Sequence, residues 1–290
     1  MTHQVPELFD PVKARRGDER ARRAGFEPFL IDRVAEDLVE RLAPVLRTFD
    51  QPLDFATPDF RFAKGLRQSG KIAGKITGEA ARLAEGAALD PDALPEAHGE
   101  KGYDLVTSGM VLQRINDLPG LLARFRRALL PDGMLIAAFP GGDTLVELRD
   151  VLMQAESEIR GAGGLRVFPM IDVRAAGQLL QRAGFALPVV DNDRLTVRYG
   201  SLLGLIRDLR AMGASAVSLN RPGQPPLTRS IITRAAELYA DKYADPDGRI
   251  RATFEIIWIS GWAPHPSQQQ PLKPGSAKMR LADALKPPEK

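Results

Sequence analysis

The chain has no cysteine, 3 histidines, and only 6% aromatic residues in 290 positions. Each scarcity removes a class of chemistry. Without a thiol there is no disulfide, no thiolate metal ligand and no cysteine nucleophile, and the absence fits a reducing compartment. His3, His98 and His265 stand far apart. No histidine–carboxylate group has metal-ligand spacing, so no metal site is expected. No apolar run approaches the length of a membrane span, and the N-terminus lacks the apolar core of a signal peptide. Its acids argue against a transit peptide, and a cytoplasmic location is expected. Charge of one sign is lacking as well: 40 basic residues face 37 acidic ones, a net charge of +3. Within the first thirty residues six Lys/Arg are interleaved with five Asp/Glu. That pattern reads as a solvated helix face, and no nucleic-acid partner is expected.

What is present describes a globular chain. Hydrophobic residues are 44% and charged residues 27%, enough for one large domain or a domain with an added lobe. Leu30, Val34, Leu38, Leu42 and Val45 recur at helical spacing and predict a helix over 18–49. Pro52 to Phe55 suits a first short strand. Residues 60–89 are rich in Gly and Ala and support no assignment. Tyr103 to Thr107 predicts a strand. A helix opens near Leu118-Pro119, and Pro131-Asp132-Gly133 is expected to stop it. Met134 to Phe139 is a continuous apolar run, as in a strand covered on both faces.

Thr144 to Glu147 has capping-box spacing ahead of a helix reaching about Arg160. Asp172 and Gly184 bracket another. Residues 194–199 alternate like a half-buried strand, Ser201 to Met212 and Thr228 to Tyr243 suit helices, and 253–259 a last strand. Asn220 to Pro226 is turn-rich, and Pro, Gln, Lys and Ser dominate from Ala263 onward. Alternating helices and strands imply a parallel sheet wrapped by helices. The expected organisation is an N-terminal helical segment at 1–50 and a core domain at 51–262, with an extended tail at 263–290. A helical cap at about 200–245 would cover the carboxyl ends of the strands, where ligands bind in open α/β sheets.

Several segments carry a resemblance beyond pattern. They include Asn116-Asp117-Leu118-Pro119, Leu130-Pro131-Asp132-Gly133, Gly141-Gly142-Asp143-Thr144-Leu145, Arg182-Ala183-Gly184-Phe185, Asp208-Leu209-Arg210-Ala211-Met212-Gly213 and Gly261-Trp262-Ala263-Pro264-His265. In these the chain resembles the bacterial and mitochondrial methyltransferase-fold family that includes a complex I assembly factor acting on an arginine of an iron–sulphur subunit. It is more distantly similar to the malonyl-carrier-protein methyltransferase of biotin synthesis. The resemblance implies a Rossmann-like class I methyltransferase fold with a helical cap and S-adenosylmethionine as cofactor. It implies a protein partner too, a respiratory complex subunit or a carrier protein.

The departures concentrate at the implied cofactor site. In the family, the first strand ends in an acid followed by a Gly-x-Gly loop whose backbone approaches the ligand closely. Here the run is Leu53-Asp54-Phe55-Ala56-Thr57-Pro58-Asp59-Phe60. Asp54 keeps the acid, the glycines are gone, and Pro58 lacks an N–H. No acid follows the second strand directly; Glu79 comes nearest. The resemblance places Asp54, Asp90, Asp92 and Ser108 at the cofactor, and Arg114, Gly141, Gly142 and Asp143 in a pocket. The family usually has an aromatic residue where Arg114 stands.

Each position has a plainer role beside the functional one. Asp54 contacts a cofactor amine or caps its loop. Asp90 and Asp92 flank adenine or begin a turn. Gly141 to Asp143 line a pocket or form a tight turn. Arg198, Arg207 and Arg210 hold an acidic substrate group or face solvent. No catalytic residue is singled out. Phe55, Phe60 and Phe62 are expected to fold inward and fill part of the cleft. Two functions follow. One is a binding or assembly factor with impaired or lost S-adenosylmethionine binding. The other is an active S-adenosylmethionine-dependent methyltransferase, or hydroxylase-like enzyme, on a protein or small acidic substrate.

Overall fold

The computed structural model describes residues 7–78, 94, 96–215, 225–265 and 267. Six strands form one sheet: β1 (Pro52–Asp54), β2 (Thr77–Gly78), β3 (Tyr103–Gly109), β4 (Leu129–Pro140), β5 (Ala186–Tyr199) and β6 (Ile250–Trp262), in the order β2-β1-β3-β4-β6-β5. The pairs β1–β2, β1–β3 and β3–β4 are parallel. β6 runs antiparallel to both β4 and β5, so the sheet is mixed and not the parallel sheet expected from alternation. The C-terminal strand inserts between β4 and β5, which makes β5 an edge strand among the described residues.

Helices cover both faces. Along β4, Met134, Ile136 and Ala138 enter one apolar cluster and Leu135, Ala137 and Phe139 the other. That two-residue alternation between two cores is why the run reads as continuously apolar. The first cluster takes α2 (Phe29–Leu42), α3 (Arg61–Gln68), α5 (Val146–Arg160), α7 (Leu202–Ala211) and α8 (Arg229–Tyr243). The second takes α4 (Leu118–Ala128) and α6 (Val173–Ala183). α1 (Pro11–Ala24) packs against α7, and α8 lies along α5.

Four local expectations are corrected. The single helix over 18–49 is two helices, α1 and α2, because Gly25 takes φ 90 and Pro28 follows it. α4 already ends at Ala128, and Pro131-Asp132-Gly133 lies within β4, where the Asp132 N–H donates to the Ala263 carbonyl. Thr144 and Glu147 form no capping box. The Thr144 hydroxyl exchanges hydrogen bonds with the Glu255 backbone, and the Glu147 carboxylate accepts from the Thr253 N–H and hydroxyl. Both side chains stitch α5 to β6 instead of closing the helix end. The strand expected at 194–199 begins eight residues earlier, at Ala186, because Pro188, Asp191, Asn192 and Asp193 interrupt the apolar alternation of a strand lying on the sheet edge.

Candidate functional site

Strand order reverses at β1, whose neighbours β2 and β3 lead away in opposite directions. The carboxyl ends of β1 and β3 therefore flank the crevice where such sheets bind ligands. The loop leaving β1 holds Ala56 at φ 60, Asp59 at φ 52 and Phe60 at φ 53. These are left-handed conformations that glycine adopts freely and other residues adopt at about 1–2 kcal/mol each. The loop thus keeps glycine-like turns while carrying a Cβ at each of them.

Asp54 holds that loop from below. It is fully buried. Its carboxylate accepts hydrogen bonds from the Thr57 hydroxyl (2.5 Å), the Ala63 N–H (3.0 Å) and the Thr107 hydroxyl (3.4 Å). Thr57 in turn accepts from the Gly109 N–H at 2.9 Å. Burial pushes the Asp54 carboxyl up to about 7, against the hydrogen bonds from Thr57, Ala63 and Thr107 that pull it down. Phe55 is buried edge-to-face against Phe125 at 5.0 Å. Phe62 is buried parallel to Trp258 at 6.1 Å. Phe60, expected to fold inward with them, is 44% exposed, because its left-handed backbone turns it onto the rim.

Two cavities open at this edge. One is lined by Phe26, Leu30, Met110, Gln113, Thr144 and Phe168 among others, and by Leu209 and Met212 to Ser215. The other is lined by Ala56 through Phe60 together with Ala21 and Arg22 of α1. Asp18, Phe26, Pro58, Arg114 and Met212 belong to both. Arg114 Nη1 donates to Asp18 Oδ1 at 2.8 Å, so this ion pair stands between the cavities and ties α1 across them. Asn116 adds a second tether, accepting from the Leu8 and Phe9 N–H groups and donating to the Phe9 carbonyl. Gln113 Oε1 is buried with no hydrogen-bond partner.

Of the residues singled out from sequence, Arg114 lines both cavities, while Asp54, Ser108, Gly141, Gly142 and Asp143 line neither. Ser108 is buried with an unpartnered hydroxyl. Gly141 packs so closely that an added Cβ would stand 2.5 Å from Glu255 Oε2. The Asp143 N–H donates to the same oxygen, and the Asp143 carboxylate pairs outward with Arg194. Asp90, Asp92 and Glu79 lie outside the described residues, as do most of the 220–226 turn and of the 263–290 tail. Sequence reasoning missed Asp18, Phe26, Gln113, Phe168 and Met212. They come from four separate segments, and the one signal among them was the Asp208-to-Gly213 match. Among the described residues no cluster of three His, Asp or Glu side chains could hold a metal ion.

The loop's fit to S-adenosylmethionine can be judged from its atoms. Pro58 offers no N–H, both Asp54 oxygens are engaged inside the protein, and side chains stand at the left-handed turns. These residues do not match a glycine cradle, in which bare backbone donors approach the ligand. The cleft instead provides an apolar chamber with one guanidinium, the Asp18 and Glu27 carboxylates and an unmet amide acceptor on its walls.

Residues 23–188 match the family model of a methyltransferase domain. The chain is 35% identical over 270 residues to the mitochondrial arginine-hydroxylase NDUFAF5 of Danio rerio, covering 89% of this chain and 82% of that protein. The Homo sapiens protein of the same name is 39% identical over 184 residues, covering 63% of this chain and 53% of its own length. The malonyl-(acyl-carrier protein) O-methyltransferase of Laribacter hongkongensis is 37% identical over 186 residues, covering 64% and 59%. With an α/β sheet whose strand order reverses at β1, helices on both faces, and this similarity along most of its length, the chain belongs to the methyltransferase-domain family.

Proposed function

We propose that this methyltransferase-fold protein works as a binding or assembly factor whose S-adenosylmethionine site is impaired or lost. The observation that carries the reading is the loop after β1. Its glycines are replaced, its proline removes a donor, and its acid is sealed beneath it. Fold alone does not establish chemistry, and this loop departs from the glycine cradle that the fold's usual chemistry uses. The partner is a protein, of the respiratory-complex or carrier type that the resemblance implies.

A second reading keeps enzyme activity: an S-adenosylmethionine-dependent methyltransferase, or a hydroxylase-like enzyme, acting on a protein or small acidic substrate. The two cavities meeting at Arg114 favour it, as does the arginine-hydroxylase name of the zebrafish relative. One titration separates the readings. A ligand at 100 times its dissociation constant stabilises the native state by about 2.7 kcal/mol. Millimolar S-adenosylhomocysteine is expected to leave the melting temperature unchanged and to give no binding heat in calorimetry. A clear upward shift would overturn the first reading in favour of the second.

A further inference from the structure

The sequence interleaves acids with the basic residues around α1, and the fold separates them. Asp10 caps the helix, accepting from the Val12 and Lys13 N–H groups. Asp18 turns inward to Arg114 at 2.8 Å. Glu19 pairs with Arg15 at 3.8 Å. Glu27 lies beyond the helix, accepts from the Phe29 N–H at 3.3 Å and lines the first cavity. These acids are all engaged. Arg16, Arg20, Arg22 and Arg23 are exposed, and no ion pair or hydrogen bond joins their guanidinium groups to any described residue. Arg16, Arg20 and Arg23 recur at helical spacing and form one outward stripe about 10 Å long, and Arg22 stands at the rim of the second cavity. Pro11 to Ala24 holds six basic and two acidic residues, while the whole chain is only +3. Outside this helix the chain holds 34 basic and 35 acidic residues, so α1 carries a larger net charge than the rest of the chain together.

We propose that the outward stripe of α1 is a docking surface for an acidic segment of a protein partner. Arginine forks match carboxylates in paired hydrogen bonds, and unpaired forks on a fixed helix are already arranged for them. A lipid surface fits less well: beyond Val12 the stripe carries no large apolar side chain to bury among headgroups. A nucleic-acid duplex fits less well too, because outside α1 acidic residues outnumber basic ones, 35 to 34. The same helix closes the cavities through Asp18 and Arg114, so a docked partner would sit on the element that roofs the cleft. The proposal rests on the protein-partner reading above. The two fail separately, since the S-adenosylhomocysteine titration does not involve these arginines.

The test uses the full chain and a short fluorescein-labelled poly-L-glutamate, with binding read by fluorescence anisotropy at two salt concentrations. The native protein should bind, more weakly at the higher salt. The combined R16Q/R20Q/R22Q/R23Q variant should lose about tenfold or more in affinity. A charge-matched control, R67Q/R174Q/R182Q/R229Q, should stay within about twofold, since its arginines are exposed on other elements. Equal loss in both variants, or no binding by the native protein, would overturn the proposal. So would tighter binding to duplex DNA or to phosphatidylglycerol vesicles. Amide chemical shifts of the native protein give a check independent of any variant. Addition of the probe should perturb residues 11–24, and perturbation confined to other elements would also overturn it.

Discussion

Asp54 retains its proton in the native state at pH values where the unfolded chain has released it. Its folded value is about 7 against an ordinary 3.8, and burial is the main cause. With the folded value raised, the contribution to stability is fully present below about pH 4 and is lost as pH rises through 7. The slope approaches about 1.4 kcal/mol per pH unit between those limits. Asp54→Asn should remove the slope, so its stability relative to the native protein should climb from pH 4.5 to 7 and then level. Urea unfolding across that range checks it, and identical pH profiles for the two proteins would refute it. The neighbouring aromatics should part company. Phe55→Ala should cost about 3–5 kcal/mol, since it empties a site packed against Phe125. Phe60→Gly should stay within about 1 kcal/mol, because relief of a left-handed backbone offsets lost contact by a half-exposed ring. The sequence displayed three phenylalanines near a loop. Which one points outward depended on backbone angles that no side-chain pattern encodes.

At the scale of elements, periodicity located most of the helices, because a helix that buries one face must repeat its apolar residues. It did not show the break between α1 and α2, nor that α1 lies across the cavities. α1 buries only Gly17 and Ala21 within its own span, so it carries no apolar signal of where it packs. Polar tethers from a distant segment hold it. Asn116→Ala removes three hydrogen bonds to Leu8 and Phe9. It should lower the local opening free energy of α1 by about 1–3 kcal/mol and speed its amide exchange at least about tenfold. Protection of β3, β4 and β6 should hardly change. Hydrogen exchange read by mass spectrometry decides it: uniform acceleration across the sheet would mean that α1 is part of the global cooperative unit.

At the scale of the whole molecule, the segment matched by the family model ends at residue 188, close to the start of β5. The strand that joins β4 to β5 is β6, from the end of the described chain. β6 also supplies Phe254, Ile256 and Trp258 to one core and Ile257 and Ile259 to the other. A fragment of residues 23–188 should therefore fail to fold, lacking a partner for β4 along its whole antiparallel side. Its near-ultraviolet circular dichroism should be flat and its unfolding non-cooperative. A cooperative transition in that fragment would show that the antiparallel pair of β5 and β6 is dispensable.

By itself the sequence determined the layered α/β class and the positions of β3, β6 and the apolar part of β4, and, beside the family it resembles, it showed no glycine after β1. Local chemistry dictates these: apolar runs must be covered, and a missing glycine or an inserted proline is visible wherever it occurs. Tertiary structure decided the antiparallel placing of β6, because pairing direction and strand order depend on contacts more than a hundred residues apart. It also decided the site. Asp18 meets Arg114 across 96 positions, and Glu255 gathers the Gly141–Asp143 turn across 112. The separation of charge on α1 arose in the same way: Asp18 and Arg15 look like neighbours in an interleaved run until folding gives the acid to a distant arginine and leaves four others facing water.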